Sequence, residues 1–158
     1  MVQAKVAQDG TNKPRMSLAE RRKARRLLVQ ALYSWLIAGN ETTDILKQFR
    51  EENPGKIDWD FFQEVLHAVP KQAATLDEHL RPLLDRDLDA LDPIEKALLY
   101  LGSYELAFRI DVPYRVVINE AVELAKMFGA TESHKYINGV LDKLVPVLRK
   151  AEYRKQRS

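Results

Sequence analysis

An all-α fold is predicted by three features of this 158-residue sequence. Apolar residues recur at spacings of three and four, helix-start and helix-stop residues bracket each such stretch, and no useful length alternates with period two. Residues 1–16 are polar, hold Gly10 and Pro14 and lack periodicity, so they are expected as a disordered N-terminal arm. Ser17 and Glu20 form a capping-box pattern that opens a first helix running to about Ala38, where Gly39 suits a left-handed cap. Its Ala24, Leu28, Ala31, Leu32 and Trp35 share one face. A short second helix follows Thr43, turns Ile45, Leu46 and Phe49 inward, and ends at Asn53, Pro54 and Gly55. A third begins near Asp58 and carries Trp59, Phe62, Leu66, Val69, Ala73, Leu76 and Leu80. Pro70 lacks a backbone donor and is expected to kink or split that helix.

Asp85, Arg86, Asp87, Leu88 and Asp89 read as an acidic connector. Beyond it, Asp92 is a good cap, Pro93 suits the first helical position, and Glu95 favours the positive helix end. The helix to Phe108 is apolar nearly all round, with Ile94, Leu98, Leu101 and Phe108 on one stripe and Leu99 and Leu106 on another. That pattern marks a central helix, and Gly102 would admit a close neighbour. A fifth helix spans 113–128, ends at Gly129, and turns Val117, Ala121, Leu124 and Phe128 inward. The sixth starts within 131–133 and packs Ile137, Val140, Leu141 and Leu144 before Pro146. The expected organisation is one helical domain over 17–148. Its halves, 17–84 and 92–148, each hold three helices, and a basic tail follows over 149–158.

Composition narrows the function. A hydrophobic share of 46% supports a real core and excludes a wholly disordered chain. With no cysteine, a disulfide scaffold, a thiolate zinc site and a cysteine nucleophile are all excluded. The longest apolar stretch, 97–108, is too short to span a bilayer, and the N-terminus has no signal-peptide core. A soluble, cytoplasmic protein with no membrane partner is expected. The net charge of +2 conceals an asymmetry: residues 1–28 carry +6, the last ten carry +4, and the stretch between carries −8. Basic ends around an acidic middle suggest two electrostatically different partner surfaces, the alternative being ordinary frayed basic tails.

Enzyme templates fail. Glu64 and His67 form one Glu-x-x-His pair, but a carboxylate-bridged di-metal site needs that motif twice with two further glutamates. The six glycines are dispersed, so no phosphate-cradling loop can form, and no Gly-x-Ser-x-Gly elbow is present. No catalytic residue, metal or cofactor is expected. The basic cluster at 21–26 is more informative. At about 100° per residue, Arg22, Arg26 and Tyr33 fall on one side of the first helix, away from Leu28 and Trp35. Guanidinium groups take phosphates bidentately and a tyrosine face stacks an unpaired base, a combination suited to single-stranded RNA. A solvated helix face with one exposed tyrosine is the plainer alternative. Lys135 and Tyr136, near the start of the sixth helix, repeat the lysine-plus-aromatic pairing where phosphate is favoured, or are a surface lysine beside a core-edge ring.

Ordered blocks then carry a resemblance. They are Arg-Arg-Lys-Ala-Arg at 21–25, Val-Gln-Ala-Leu-Tyr-Ser-Trp at 29–35, Ile-Glu-Lys-Ala at 94–97 and Tyr-Glu-Leu at 104–106. The longest runs over 111–126, from Asp-Val-Pro-Tyr-Arg to Glu-Leu-Ala-Lys, followed by Ser-His-Lys-Tyr-Ile-Asn-Gly-Val-Leu-Asp-Lys at 133–143. Over Ala19 to Leu148 the chain resembles the NusB family of bacterial transcription antitermination factors. The resemblance implies two packed three-helix bundles, no catalysis, and pairing with the ribosomal protein NusE. It further implies binding of boxA-type single-stranded RNA within an RNA polymerase antitermination complex, notably on ribosomal RNA operons. Carried over by residue, it implies that Arg21, Arg22 and Arg25 meet phosphates and that Tyr33 contacts RNA. Lys135 and Tyr136 match a Lys-Phe pair near the RNA, Glu132 matches an aspartate in a loop that influences RNA affinity, and Glu95 matches an acidic residue tied to NusE pairing. Related proteins occur as monomers and as homodimers, so a homodimer is one expected state. Tyr100 and Gly102 depart from the family's usual arginine and alanine. Two rivals remain: a NusB-like piece of a ribosomal RNA cytosine methyltransferase, and a helical adaptor whose basic stripe only solubilises.

Overall fold

The computed structural model describes residues 17–157, so the expected arm at 1–16 lies outside the described residues. Among those described there are seven α-helices and no strand: α1 (Leu18–Ala38), α2 (Thr42–Glu52), α3 (Trp59–Leu80), α4 (Pro93–Phe108), α5 (Tyr114–Phe128), α6 (Ser133–Leu148) and α7 (Lys150–Arg157). Their ends follow local chemistry. The Ser17 hydroxyl accepts from the Glu20 N–H at 3.0 Å, Asp58 accepts from the Phe61 N–H at 3.1 Å, and Asp92 accepts from the Ile94 N–H at 2.8 Å. Gly39 closes α1 at φ 67°, in the left-handed region, and its N–H donates to the Trp35 carbonyl.

Helices α1–α3 and α4–α6 form two groups of three, but α4 also packs on α1 and α3. Phe61, Phe62, Leu28, Leu32, Leu98, Leu99 and Leu101 are therefore fully buried in one continuous core. Each such side chain contributes about 1.5–3 kcal/mol through burial. The close approach expected at Gly102 is present: a Cβ there would stand 2.7 Å from the Leu141 Cδ1 of α6.

Four expectations are corrected. Helix α3 is not split at Pro70, because the missing N–H removes one bond while Leu66, Val69 and Leu76 keep their buried stripe on both sides of it. Helix α6 likewise continues past Pro146 to Leu148, with Leu144 and Val145 buried. Phe108, placed on a buried stripe by spacing, lies at the last turn of α4 and is 44% exposed, its ring 5.2 Å from that of Tyr104. Residues 149–157 are not simply a basic tail. Arg149 is buried, donating to the carbonyls of Leu106, Glu105 and Arg109 at 2.7, 3.1 and 3.0 Å and so capping the C-terminus of α4. The Glu152 carboxylate in α7 pairs with Arg149 at 2.5 Å and accepts from the Tyr114 N–H at 3.0 Å, at the open end of α5.

Candidate nucleic-acid interface

Helix α1 sends its arginines two ways. Arg22, Arg26, Gln30, Tyr33 and Ile37 follow at helical spacing along its solvent side, all exposed except Arg26, which is half-buried. Tyr33 leaves 39% of its surface open to solvent. The Arg22 Nε donates to the Glu120 Oε2 of α5 at 3.0 Å. Arg22 and Arg26 line an open cleft of about 390 Å³ with Glu120, Glu123, Leu124 and Met127.

Arg25 points the other way. Its guanidinium grips the Glu105 carboxylate of α4 through two bonds of 2.9 and 2.8 Å, with side-chain exposures of only 5% and 2%. Glu120 lies 3.7 Å away as a second carboxylate. Burial opposes the charge, but the bonds and attraction of Glu105 outweigh it and hold Arg25 above its ordinary pKa. Arg21 is partly withdrawn as well: it donates to Asp58 at 2.7 Å and lies 4.2 Å above the Phe61 ring. Arg25 therefore does not present its charge to a ligand, contrary to the expectation from the resemblance. An arginine buried without its carboxylate would cost several kcal/mol, so the Glu105 pair decides its orientation.

The second group of expected residues lies around the starts of α4 and α6. Arg25 meets Glu105 while Trp35 meets Tyr100, their rings 6.3 Å apart, so α1 and α4 run antiparallel. Trp35, in the last turn of α1, thus lies beside the middle of α4. The Ser133 hydroxyl, at the start of α6, donates to the Glu95 carboxylate at 2.8 Å. Glu95 is half-buried and ties the two helix starts together. Lys135 and Glu132 are exposed and pair at 2.9 Å. Tyr136 is not an open platform: the Arg86 guanidinium covers its ring at 4.3 Å. Its buried hydroxyl makes no well-formed hydrogen bond among the described residues, and burial together with nearby Asp85 pushes the phenol above its ordinary pKa.

The arrangement brings Arg22, Arg26 and Tyr33 onto one line of α1, while Lys135 is exposed at the start of α6. Eleven residues separate Arg22 from Tyr33, about 16 Å along the helix at 1.5 Å per residue. Cations at one end and an open aromatic face at the other suit an extended polyanion with unpaired bases. Arg86 was missed by sequence reasoning because its neighbours Asp85 and Asp87 mark it as part of a solvated acidic connector. No group of histidine and carboxylate side chains among the described residues has metal-site geometry, and no described helix is long and apolar enough to cross a membrane.

Comparison with known proteins agrees with this fold. The NusB family model matches residues 22–146. A transcription antitermination protein NusB of Idiomarina loihiensis is 56% identical over 135 residues, covering 85% of this chain and 97% of the relative. One of Pseudomonas entomophila is 53% identical over 137 residues, covering 86% and 82%. Among solved structures, a T. maritima NusB aligns at TM-score 0.74 and 26% identity, covering 85% of this chain and 96% of that one. A structure of the antitermination factors NusB and NusE with double-stranded RNA aligns at TM-score 0.75 and 23% identity, covering 83% and 99%, a likeness of fold.

Proposed function

The chain belongs to the NusB family, and on that premise we propose that it is a non-enzymatic transcription antitermination factor of the cytoplasm that binds boxA-type single-stranded RNA together with NusE. The observation that carries this reading is the exposed line of Arg22, Arg26 and Tyr33 on α1, which offers phosphate-binding cations and a stacking face at once. Lys135, exposed at the start of α6, is a further cation for the same RNA, and Glu132 modulates it by pairing with the lysine. Arg21 and Arg25 act through the fold instead, anchoring α1 to α3 and α4. Tyr136 supports the same edge from below Arg86. Glu95, between the starts of α4 and α6, belongs to the NusE-facing surface, where acidic groups would steer a basic ribosomal protein. Residues 17–148 act as one unit, since α4 is shared by both halves. The assembled complex modifies RNA polymerase elongation on ribosomal RNA operons.

Fluorescence anisotropy with a labelled boxA-type RNA and a scrambled control, with and without NusE across a salt series, tests the proposal. Preferential binding strengthened by NusE is expected, with a log–log salt slope of about −0.7 per phosphate contacted. Equal weak binding to both RNAs, unaffected by NusE, would return the chain to a helical adaptor with a solubilising stripe.

A further inference from the structure

Arg26 borders two clefts, one lined by both signs of charge and one by cations alone. On the α5 side, Arg22 and Arg26 face the carboxylates of Glu120 and Glu123, and Arg22 is already paired. On the other side, Arg26 joins Lys23 of α1 and Lys56 of the α2–α3 turn around an open cleft of about 220 Å³, with the amides of Gln30 and Asn53 on its wall. Leu27, Pro54 and Ile57 complete the lining, and it includes no acidic residue. Among the described residues, no carboxylate comes within ion-pair distance of Lys23, Arg26 or Lys56.

The turn that delivers Lys56 is held at both ends. The Asn53 side chain donates to the Phe49 carbonyl at 2.9 Å, and Gly55 takes φ 118°, which other residues reach only with strain. Two residues on, the Asp58 N–H donates to the Glu20 carbonyl at 3.2 Å and its carboxylate holds Arg21 at 2.7 Å. Three cations around one cleft, none within ion-pair distance of a carboxylate and one of them on a braced turn, are prearranged for an anion and lose little order on binding it. The apolar lining gives sugar or base surface something to pack on.

We propose that this cleft is a phosphodiester-binding site that takes the backbone of the RNA strand flanking the segment held on the α1 stripe. It rests on the RNA-binding reading above and adds Lys23, Lys56, Gln30 and Asn53 to the surface. Phosphate leaving Arg26 is repelled by Glu120 and Glu123 on one side and attracted on the other, so the strand departs over the α2–α3 turn.

The test uses the full chain and a labelled boxA-type RNA of about twelve nucleotides, alone or extended by about six uridines at its 5′ or 3′ end, lengths within the usual range for single-strand sites. Lys23 and Lys56 are exposed, so a Lys23→Gln/Lys56→Gln variant should keep its fold by circular dichroism. Lys143→Gln, on the exposed side of α6, controls for net charge. With an extended RNA, the double variant should bind about fivefold more weakly per lysine at about 0.1 M salt, with a salt slope shallower by about 1.4. Its affinity for the short RNA should match that of the unaltered chain. Equal loss on short and extended RNAs, or a loss no larger than that of Lys143→Gln, would overturn the site while leaving the RNA-binding reading in place. Failure of the unaltered chain to prefer boxA-type over scrambled RNA would instead remove that reading and the cleft with it.

Discussion

Replacing Arg25 by methionine should destabilise the protein severely. The guanidinium and the Glu105 carboxylate share two bonds of 2.8 and 2.9 Å in a site almost closed to water. Methionine fills much of the volume but leaves Glu105 without a cation, and Arg149 cannot replace it because its bonds go to backbone carbonyls and to Glu152. Breaking a buried pair from one side costs about 3–5 kcal/mol. In urea, at an m-value of about 2 kcal/mol/M, the unfolding midpoint should fall by roughly 1.5–2.5 M. Trp35 and Trp59, both packed against the core, report the transition by fluorescence. Adding Glu105→Leu to Arg25→Met should recover most of the loss, because no unpaired buried charge remains. A midpoint shift below about 0.5 M, accompanied by weaker RNA binding, would refute the argument. Arg25 would then be a phosphate contact, as the family resemblance implied.

Tyr33→Ala should weaken RNA binding by about 1–3 kcal/mol, the worth of one stacked base, without changing the urea midpoint; unchanged affinity in the folded variant would remove Tyr33 from the site. Arg149→Met should cost roughly 2–3 kcal/mol, since the last carbonyls of α4 lose charge-assisted bonds inside the protein, and thermal unfolding would show it. Burial, with the bonds donated to Asp77 and Glu64, pushes the Tyr100 and Tyr104 phenols well above the ordinary value of about 10. Their contribution to stability is therefore complete below about pH 10 and is lost as the pH rises further, when the unfolded chain ionises first. Urea midpoints should fall across that alkaline range, and tyrosinate absorbance at about pH 11 should lack these two phenols; their full ionisation there with helical circular dichroism intact would contradict the burial argument.

Much of the fold is legible residue by residue, because helix starts, stops and faces depend on neighbours within one or two turns. Ser17, Asp58 and Asp92 cap where their side chains reach the next free N–H groups, Gly39 ends α1, and the apolar run after Pro93 marks the central helix. The same reasoning overweighted proline, since Pro70 and Pro146 remove one bond each while tertiary burial on either side keeps the helices intact. It also missed α7, whose composition is too polar to announce a helix; Arg149 and Glu152 hold it by serving the open ends of α4 and α5.

The interface divides in the same way. The basic cluster and the exposed position of Tyr33 followed from spacing alone, since a helix wheel separates Arg22, Arg26 and Tyr33 from Leu28. Which arginines remained free for a ligand did not follow. Arg21 and Arg25 lie two turns and one turn before Leu28 on the inward side, and Glu105, inside the apolar run after Lys96, was the sign of a buried counter-charge. Local spacing determined which face each charge occupies, because that is set by the geometry of one helix. Only the tertiary structure decided which charges stay available: an ion's partner is chosen by what lies within a few ångströms in space, and α4 brings Glu105 to Arg25 across eighty residues of chain.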